Sequence, residues 1–320
     1  MLKDGYGRQI DYLRVSVTQR CNFRCVYCMS KKPFVWIPHK DILSYEEMFF
    51  FVKMLINEGI RKVRITGGEP LTRANTDRFV KMIKEYNSDM DIALTTNGYL
   101  LEDMAEKLSH AGLKRVNVSL DSLKKDTIYQ ISKTDALNKI LSGIDKAISC
   151  GIRIKLNTVP IVGVNDKEIL DIFDYAKKRG IMVRFIEYME NGFADNLIKG
   201  LSLQDIIKII SSKYIIREVD KEHCSPARLF KTEDGYCFGV IAPHNHDFCK
   251  SCNRIRLSAE GFLIPCLYFD EAISIKDAVR SGDEIKLKEI LNSVLQNKPE
   301  KNCWNKNGEK SAQAFYKTGG

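Results

Sequence analysis

The chain has 320 residues, 28% of them charged and 44% hydrophobic, enough apolar material for one large core or two smaller ones. Its longest apolar stretch, Met48 to Ile56, is interrupted by Lys53 and falls far short of the ~20 residues a membrane span needs. Met1 to Gly5 carries neither the apolar run of a signal peptide nor the Arg- and Ser-rich start of a transit peptide, so the expectation is a cytoplasmic protein without a membrane partner. Fifty Lys and Arg against 41 Asp and Glu give a formal charge of +9, which suits an anionic partner. The basic residues are spread along the chain, with no single stripe and no interleaved aromatics, so nucleic acid is not expected.

In chain order, short β-branched runs predict strands at Leu13–Thr18, Lys62–Thr66, Asp91–Thr96, Arg115–Leu120, Arg153–Val159 and Met182–Tyr188. Each of the first five is followed by a helical pattern. The first helix is announced by Ser44-Tyr45-Glu46-Glu47, a capping-box sequence, and stopped by Gly59. Strands joined by helices must be parallel, because such connections cross over. Periodicity alone leaves two arrangements open, a doubly wound sheet and an incomplete barrel. Past about residue 200 the pattern changes. A helix is expected from Leu203 to Tyr214, hairpin turns at Glu233-Asp234-Gly235 and Ala259-Glu260-Gly261, and helix again from about Ile275 to Gln296. Asn297 to Gly320 is polar and reads by composition as a loose tail. The division expected is residues 1–200 and 201–320.

The cysteines carry the chemistry. Cys21, Cys25 and Cys28 stand at C-x3-C-x2-C spacing directly after the first strand. Three thiolates from one loop can hold three corners of a 4Fe-4S cubane and leave the fourth iron open, whereas a structural zinc needs a fourth ligand, and the nearest histidine, His39, is eleven residues on. Thr66-Gly67-Gly68-Glu69-Pro70 ends the second strand, with glycines that let backbone approach a ligand and a carboxylate that offers acceptors. Cys249, Cys252 and Cys266 form a second set, for which a zinc knuckle completed by His244 or His246 is an alternative. Arg254 and Arg256 follow it at i and i+2, on one face of a strand, where two guanidiniums can grip phosphate or carboxylate. Cys150, Cys224, Cys237 and Cys303 stand apart and read as neutral thiols.

The first cysteine loop and the Gly-Gly-Glu-Pro segment resemble those of the radical S-adenosylmethionine (SAM) superfamily. Leu13-Arg14-Val15-Ser16-Val17-Thr18, Lys62 to Leu71, Leu94-Thr95-Thr96-Asn97-Gly98, Val116 to Asp121, Arg184 to Met189, Cys249 to Leu257 and Gly319-Gly320 extend the resemblance, over nearly the whole chain, to the GTP 3′,8-cyclase family of molybdenum cofactor biosynthesis. That resemblance implies an α/β fold, an incomplete (β/α)6 TIM-like barrel with a C-terminal α+β region closing its open side. It implies two 4Fe-4S clusters, one on Cys21, Cys25 and Cys28 with SAM contacted by Tyr27, Gly68, Ser119 and Met189, and one on Cys249, Cys252 and Cys266. GTP would be bound by Arg14, Arg64, Thr95, Lys155, Arg254 and Arg256, with Gly319 and Gly320 reaching into the site for turnover. A buried cation is costly without an anion, which supports the same set independently. The implied partners are a flavodoxin- or ferredoxin-like reductant and, along the pathway, cyclic pyranopterin monophosphate synthase; a homodimer is left open. A radical SAM peptide-modifying enzyme is the alternative. Two departures stand out: Met29-Ser30-Lys31 follows the third cysteine where the family has Met-Pro, and Tyr316-Lys317-Thr318 makes the approach to the tail less apolar.

Overall fold

The computed structural model describes residues 1–29, 36–191, 194, 197–220, 225–243, 246–268, 271–301 and 315–318. Five βα units and a sixth strand come first: β1 (Tyr12–Ser16), α1 (Tyr45–Glu58), β2 (Lys62–Thr66), α2 (Thr76–Tyr86), β3 (Asp91–Thr96), α3 (Leu101–His110), β4 (Arg115–Ser119), α4 (Lys125–Ser132), α5 (Leu137–Ser149), β5 (Arg153–Thr158), α6 (Ile169–Lys178) and β6 (Met182–Ile186). Then follow α7 (Leu203–Ser211), β7 (Ile216–Val219), β8 (Ala227–Thr232), β9 (Cys237–Ile241), β10 (Arg254–Leu257), β11 (Phe262–Ile264), β12 (Ile273–Ser274), α8 (Lys276–Ser281), α9 (Glu284–Gln296) and α10 (Phe315–Thr318). All six expected strands are present, each within two residues of its expected ends. The capping box forms, with Glu47 N–H donating to Ser44 Oγ (3.0 Å) and Ser44 N–H to the Glu47 carboxylate (2.6 Å).

The strands make one twelve-stranded open sheet in the order β12-β11-β10-β1-β2-β3-β4-β5-β6-β9-β8-β7. From β1 to β6 every pairing is parallel, and the C-terminal segment adds a parallel strand at each flank, β10 beside β1 and β9 beside β6. Both expected hairpins are found, β8–β9 and β10–β11. The expected final helix is two helices, because Gly282 adopts φ 71° and ends α8. This is the incomplete barrel rather than the doubly wound sheet.

Strand alternation sorts the side chains. Leu13 and Val15 belong to the apolar core with Phe51 and Phe79 of the outer helices, while their neighbours Tyr12 and Arg14 line an interior cavity. The tail is not uniformly loose: Lys298 is 2% exposed and Phe315, Tyr316 and Thr318 are buried. No helix among the described residues is long and apolar enough to cross a membrane.

Candidate active site

The first cysteine loop leaves the C-terminal end of β1, the face where barrel enzymes carry their sites. Backbone bonds hold it: Arg24 N–H donates to Ser132 O (2.8 Å), Val26 N–H to Ile131 O (3.0 Å), and the N–H groups of Cys28 and Met29 both donate to Cys25 O. The glycine segment lies alongside, with Gly68 N–H donating to Thr18 O (2.7 Å) and Glu69 N–H to Arg20 O (2.8 Å). A Cβ on Gly68 would sit 2.5 Å from Arg20 O, and one on Gly67 2.7 Å from Thr18 O, so only glycine permits this approach. Glu69 differs from expectation. Its oxygens accept from Leu71 N–H (3.0 Å), Thr96 Oγ1 (2.7 Å) and Asn97 N–H (2.7 Å), so the carboxylate ties β2 to β3 while Gly67 and Gly68 line the cavity. Burial pushes its pKa up to about 7.

A cavity of about 210 Å³ opens here, lined by all three cysteines together with Tyr27, Gly68, Ser119 and Met189. Every residue expected to contact SAM is therefore on one wall system. Tyr27 Oη donates to Asp121 Oδ2 (2.6 Å) and Asn191 Nδ2 donates to Tyr27 O (3.1 Å), fixing the ring. Phe315 and Tyr316 of the tail line the same cavity, and Tyr316 packs with Met29, Cys28 and Trp36. The tail thus docks through aromatic contacts where a more apolar approach was expected; Gly319 and Gly320 lie outside the described residues.

A second cavity, about 200 Å³, is lined by Cys249, Cys252, Cys266, Arg14, Arg64, Thr95, Arg254 and Arg256. Register explains the cation density. Arg14 pairs with Arg256 on one side and Arg64 on the other, giving three guanidiniums in a lateral row. Burial first, then the neighbouring arginines, hold Arg14 well below the usual guanidinium range and Arg256 down to about 10. Arg64 Nε is buried with no hydrogen-bond partner among the described residues. A row of desolvated like charges is expensive in a protein and is what an oligophosphate relieves. Lys155 shares the inward face of β5 with Asn157, two residues on, but is not among the residues lining either cavity.

The two cavities share a wall of Thr95, Asn157, Ile186 and Met189. Their cysteine sets stand at opposite ends of one ladder. Cys21 follows the C-terminal end of β1, while Cys252 precedes the N-terminal end of the parallel β10, whose Arg254 pairs with Tyr12. Cys266 follows antiparallel β11 and so returns to the Cys252 end.

The thiols fit clusters. Burial pushes Cys21 up to about 11, Cys28 to about 12 and Cys25 well above the usual thiol value, so their thiolates need metal charge beside them. Burial also raises Cys252, but Lys298, Arg254 and Arg8 outweigh it and hold that thiol below its usual value. No three His, Cys, Asp or Glu side chains among the described residues form a site for a single metal ion. In a cubane each thiolate ligates a different iron, so the donors need not meet at one point as zinc ligands do; His244 lies outside the described residues, as do Cys224 and Cys303. Cys150 and Cys237 are half-buried and free.

Sequence reasoning missed several residues. Arg184 is 9% exposed and donates through Nε to Asn157 Oδ1 (3.0 Å) and through Nη2 to Asn117 Oδ1 (2.7 Å). Its signal was available: an arginine at an inward position of an otherwise apolar strand. Tyr12 lies between Arg64 and Arg254, its ring centroid 5.6 and 5.2 Å from their guanidinium carbons. Lys298 gave no signal, sitting in a polar stretch after a helix.

An open parallel barrel with three thiols at the C-terminal mouth, against a double-glycine segment, defines a radical SAM enzyme. A family model described as the Radical SAM superfamily matches residues 15–176, and one described as Molybdenum Cofactor Synthesis C matches residues 181–304. Among curated relatives, the chain is 56% identical to the GTP 3′,8-cyclase of Aliarcobacter butzleri and 55% identical to that of Nautilia profundicola, in each case over 100% of both chains. The chain belongs to the GTP 3′,8-cyclase family. Among solved structures, Streptococcus suis SuiB bound to S-adenosylmethionine superposes with a TM-score of 0.60 at 15% identity, over 89% of this chain and 68% of that one, a likeness of fold.

Proposed function

We infer that this chain converts GTP to (8S)-3′,8-cyclo-7,8-dihydroguanosine 5′-triphosphate, the first step of molybdenum cofactor biosynthesis, using two 4Fe-4S clusters and SAM. The observation that carries the site assignment is the shared wall of Thr95, Asn157, Ile186 and Met189 between a thiol-lined cavity and an arginine-lined one, because hydrogen abstraction requires donor and acceptor in contact. When bound, the first cluster and SAM supply the one-electron chemistry that removes hydrogen from C3′ of GTP.

The rest falls to the chain's own residues. Cys21, Cys25 and Cys28 would hold the first cluster, and Tyr27, Gly68, Ser119 and Met189, which line the same cavity, would bind SAM beside it. Cys249, Cys252 and Cys266 would hold the second, which would supply a Lewis-acidic iron to the guanine end of the nucleotide. Arg14, Arg64, Arg254 and Arg256, with Arg184 added to the expected set, take the triphosphate, and Thr95 lies between SAM and nucleotide; Lys155, which lines neither cavity, would have to swing inward from β5 to join them. Phe315 and Tyr316 line the first cavity and help to exclude water from a reactive intermediate, and Gly319 and Gly320, beyond the described residues, are needed for turnover. Residues 1–200 form the unit that contains all six βα strands and 201–320 the unit that brings the second cysteine set. The electron donor is a flavodoxin- or ferredoxin-like protein, the product passes to cyclic pyranopterin monophosphate synthase, and the enzyme works in the cytoplasm. The likeness to SuiB is one of fold, and peptide modification gives the arginine row no task.

The test uses anaerobically reconstituted protein, SAM, a reductant and GTP deuterated at C3′. Deuterium in the 5′-deoxyadenosine formed is the expected result. Unlabelled 5′-deoxyadenosine, made equally well without GTP, would overturn the substrate.

A further inference from the structure

Two cations outside the expected site close on the backbone around the second cysteine set. Lys298, directly after α9 and 2% exposed, donates from Nζ to Arg254 O (2.9 Å) and to Pro265 O (2.6 Å). Arg254 is two residues beyond Cys252, and Pro265 immediately precedes Cys266. Arg8 donates from Nη1 to Cys249 O (2.8 Å) and Glu300 O (2.8 Å), from Nη2 to Pro299 O (2.7 Å), and from Nε to Asp4 Oδ2 (2.5 Å). Asp4 in turn accepts from the N–H groups of Tyr6 and Arg8 (3.0 and 2.9 Å), so the guanidinium projects from a fixed N-terminal hook. Each cysteine therefore sits on an arm whose neighbouring carbonyl is held by one of two cations, and residues 298–300 strap the cations to each other.

We propose that Lys298 and Arg8 are positioning residues that clasp the three arms carrying Cys249, Cys252 and Cys266 in ligating arrangement and set the reduction potential of the cluster they hold. A lysine buried to satisfy two carbonyls on separate loops has a geometric task. Both cationic heads are hydrogen-bonded to backbone of the arms that carry the three cysteines, so they place positive charge behind a thiolate-bound cluster, which favours its reduced form. The inference rests on the reading that these cysteines ligate a cluster.

The test uses the full chain with Cys21, Cys25 and Cys28 replaced by alanine, so that only the second set binds iron. After anaerobic reconstitution, iron and sulfide per chain, the rate of iron loss to a chelator, and the midpoint potential followed by electron paramagnetic resonance are compared among this parent, K298M, K298R and R8M. Substitutions behind metal ligands typically cost roughly 10–100-fold in metal affinity. K298M is therefore expected to lose iron about tenfold faster and to lower the potential by about 59 mV, a tenfold change in a one-electron equilibrium; K298R restores most of both. Iron retention and potential in K298M equal to the parent's would overturn the clasp. A parent that binds no iron would instead remove the cluster reading, and the clasp with it. Should K298M lose its circular dichroism, R8M decides: faster iron loss with an intact spectrum supports the clasp, and unchanged loss refutes it.

Discussion

Arg184→Met should make the cluster-free protein more stable while weakening GTP binding. Burial, then the charges of Arg64, Arg254 and Arg115, lower the Arg184 pKa from 12.5 to about 9. At about 1.36 kcal/mol per pKa unit, carrying charge there costs roughly 5 kcal/mol. Methionine removes that cost and leaves the amide oxygens of Asn117 and Asn157 without their guanidinium donor, a penalty of roughly 1–3 kcal/mol for each buried oxygen. Asn117 is 4% exposed and bears more of it than half-buried Asn157, so the net gain is about 1–3 kcal/mol. For a chain of this length each kcal/mol moves the midpoint by about 1.5 °C, so calorimetry without ligand should show a rise of roughly 2–5 °C. Isothermal titration with GTP should show the opposite sign, since losing a charge-assisted bond weakens affinity by roughly 10–150-fold. A lower melting temperature in R184M, or an unchanged GTP affinity, would refute the argument that an electrostatically costly site is kept for a polyanion.

Asp121→Asn should flatten the acid side of the stability profile. Burial raises the folded pKa of Asp121 to about 6 against the hydrogen bonds from Tyr27 and Val159, so the native state binds more protons than the unfolded one between about pH 4 and 6. Its contribution is full below the unfolded pKa and lost as pH rises through the folded one, roughly 3 kcal/mol in all. Glu69, also raised, acts in the same direction, so D121N should remove part of the fall in melting temperature from pH 4 to 7; an unchanged slope refutes the assignment. Gly68→Ala puts a Cβ 2.5 Å from Arg20 O and 2.6 Å from Gln19 O, and both are backbone, so the bonds to Thr18 and Arg20 must break. SAM binding by equilibrium dialysis should be lost, and normal binding would show that close backbone approach is not required. At Tyr12, each cation–π contact is worth roughly 0.5–2 kcal/mol. Y12L should therefore weaken GTP affinity by about tenfold while Y12F retains it, and equal losses in both would place the effect in the hydroxyl instead.

What the sequence disclosed follows from where each signal lives. The six parallel strands were legible because a strand packed by helices is a run of β-branched residues ended by turn chemistry, and that information is local. So was the first cysteine loop, whose ligands fall within eight residues. Nothing local says that β10 lies beside β1 or that β9 lies beside β6; these pairings are set by which sheet edges remain after the barrel strands have formed. Arg184 was readable by strand parity once β6 was placed. Lys298 was not, because its burial depends on two carbonyls, those of Arg254 and Pro265, that only tertiary structure brings to the end of α9. Glu69 shows the converse: its motif is plain in the sequence, but which of its acceptors remain for a ligand depends on Thr96 and Asn97 of the next strand.

If the two cysteine sets hold the clusters of the proposed function, the parallel pairing of β1 with β10 fixes the polarity of the substrate. In a parallel ladder both strands point the same way, so a ligand set that follows β1 and a ligand set that precedes β10 must lie at opposite ends of it. Five residues of β1 span about 17 Å at 3.3–3.4 Å per residue, room for a nucleotide and no more. Between the ends lies the row Arg256, Arg14, Arg64, which on that reading would take the phosphates from the side. With guanine at the Cys252 end, as the proposed function has it, the ribose would point toward the mouth, where Thr95 and Met189 line both cavities and C3′ could meet SAM. Antiparallel pairing at this edge would have put both cysteine sets at the mouth, side by side, with no site between them. On the proposed function, the orientation of one edge strand, invisible in the sequence, therefore decides which end of GTP would face the first cluster.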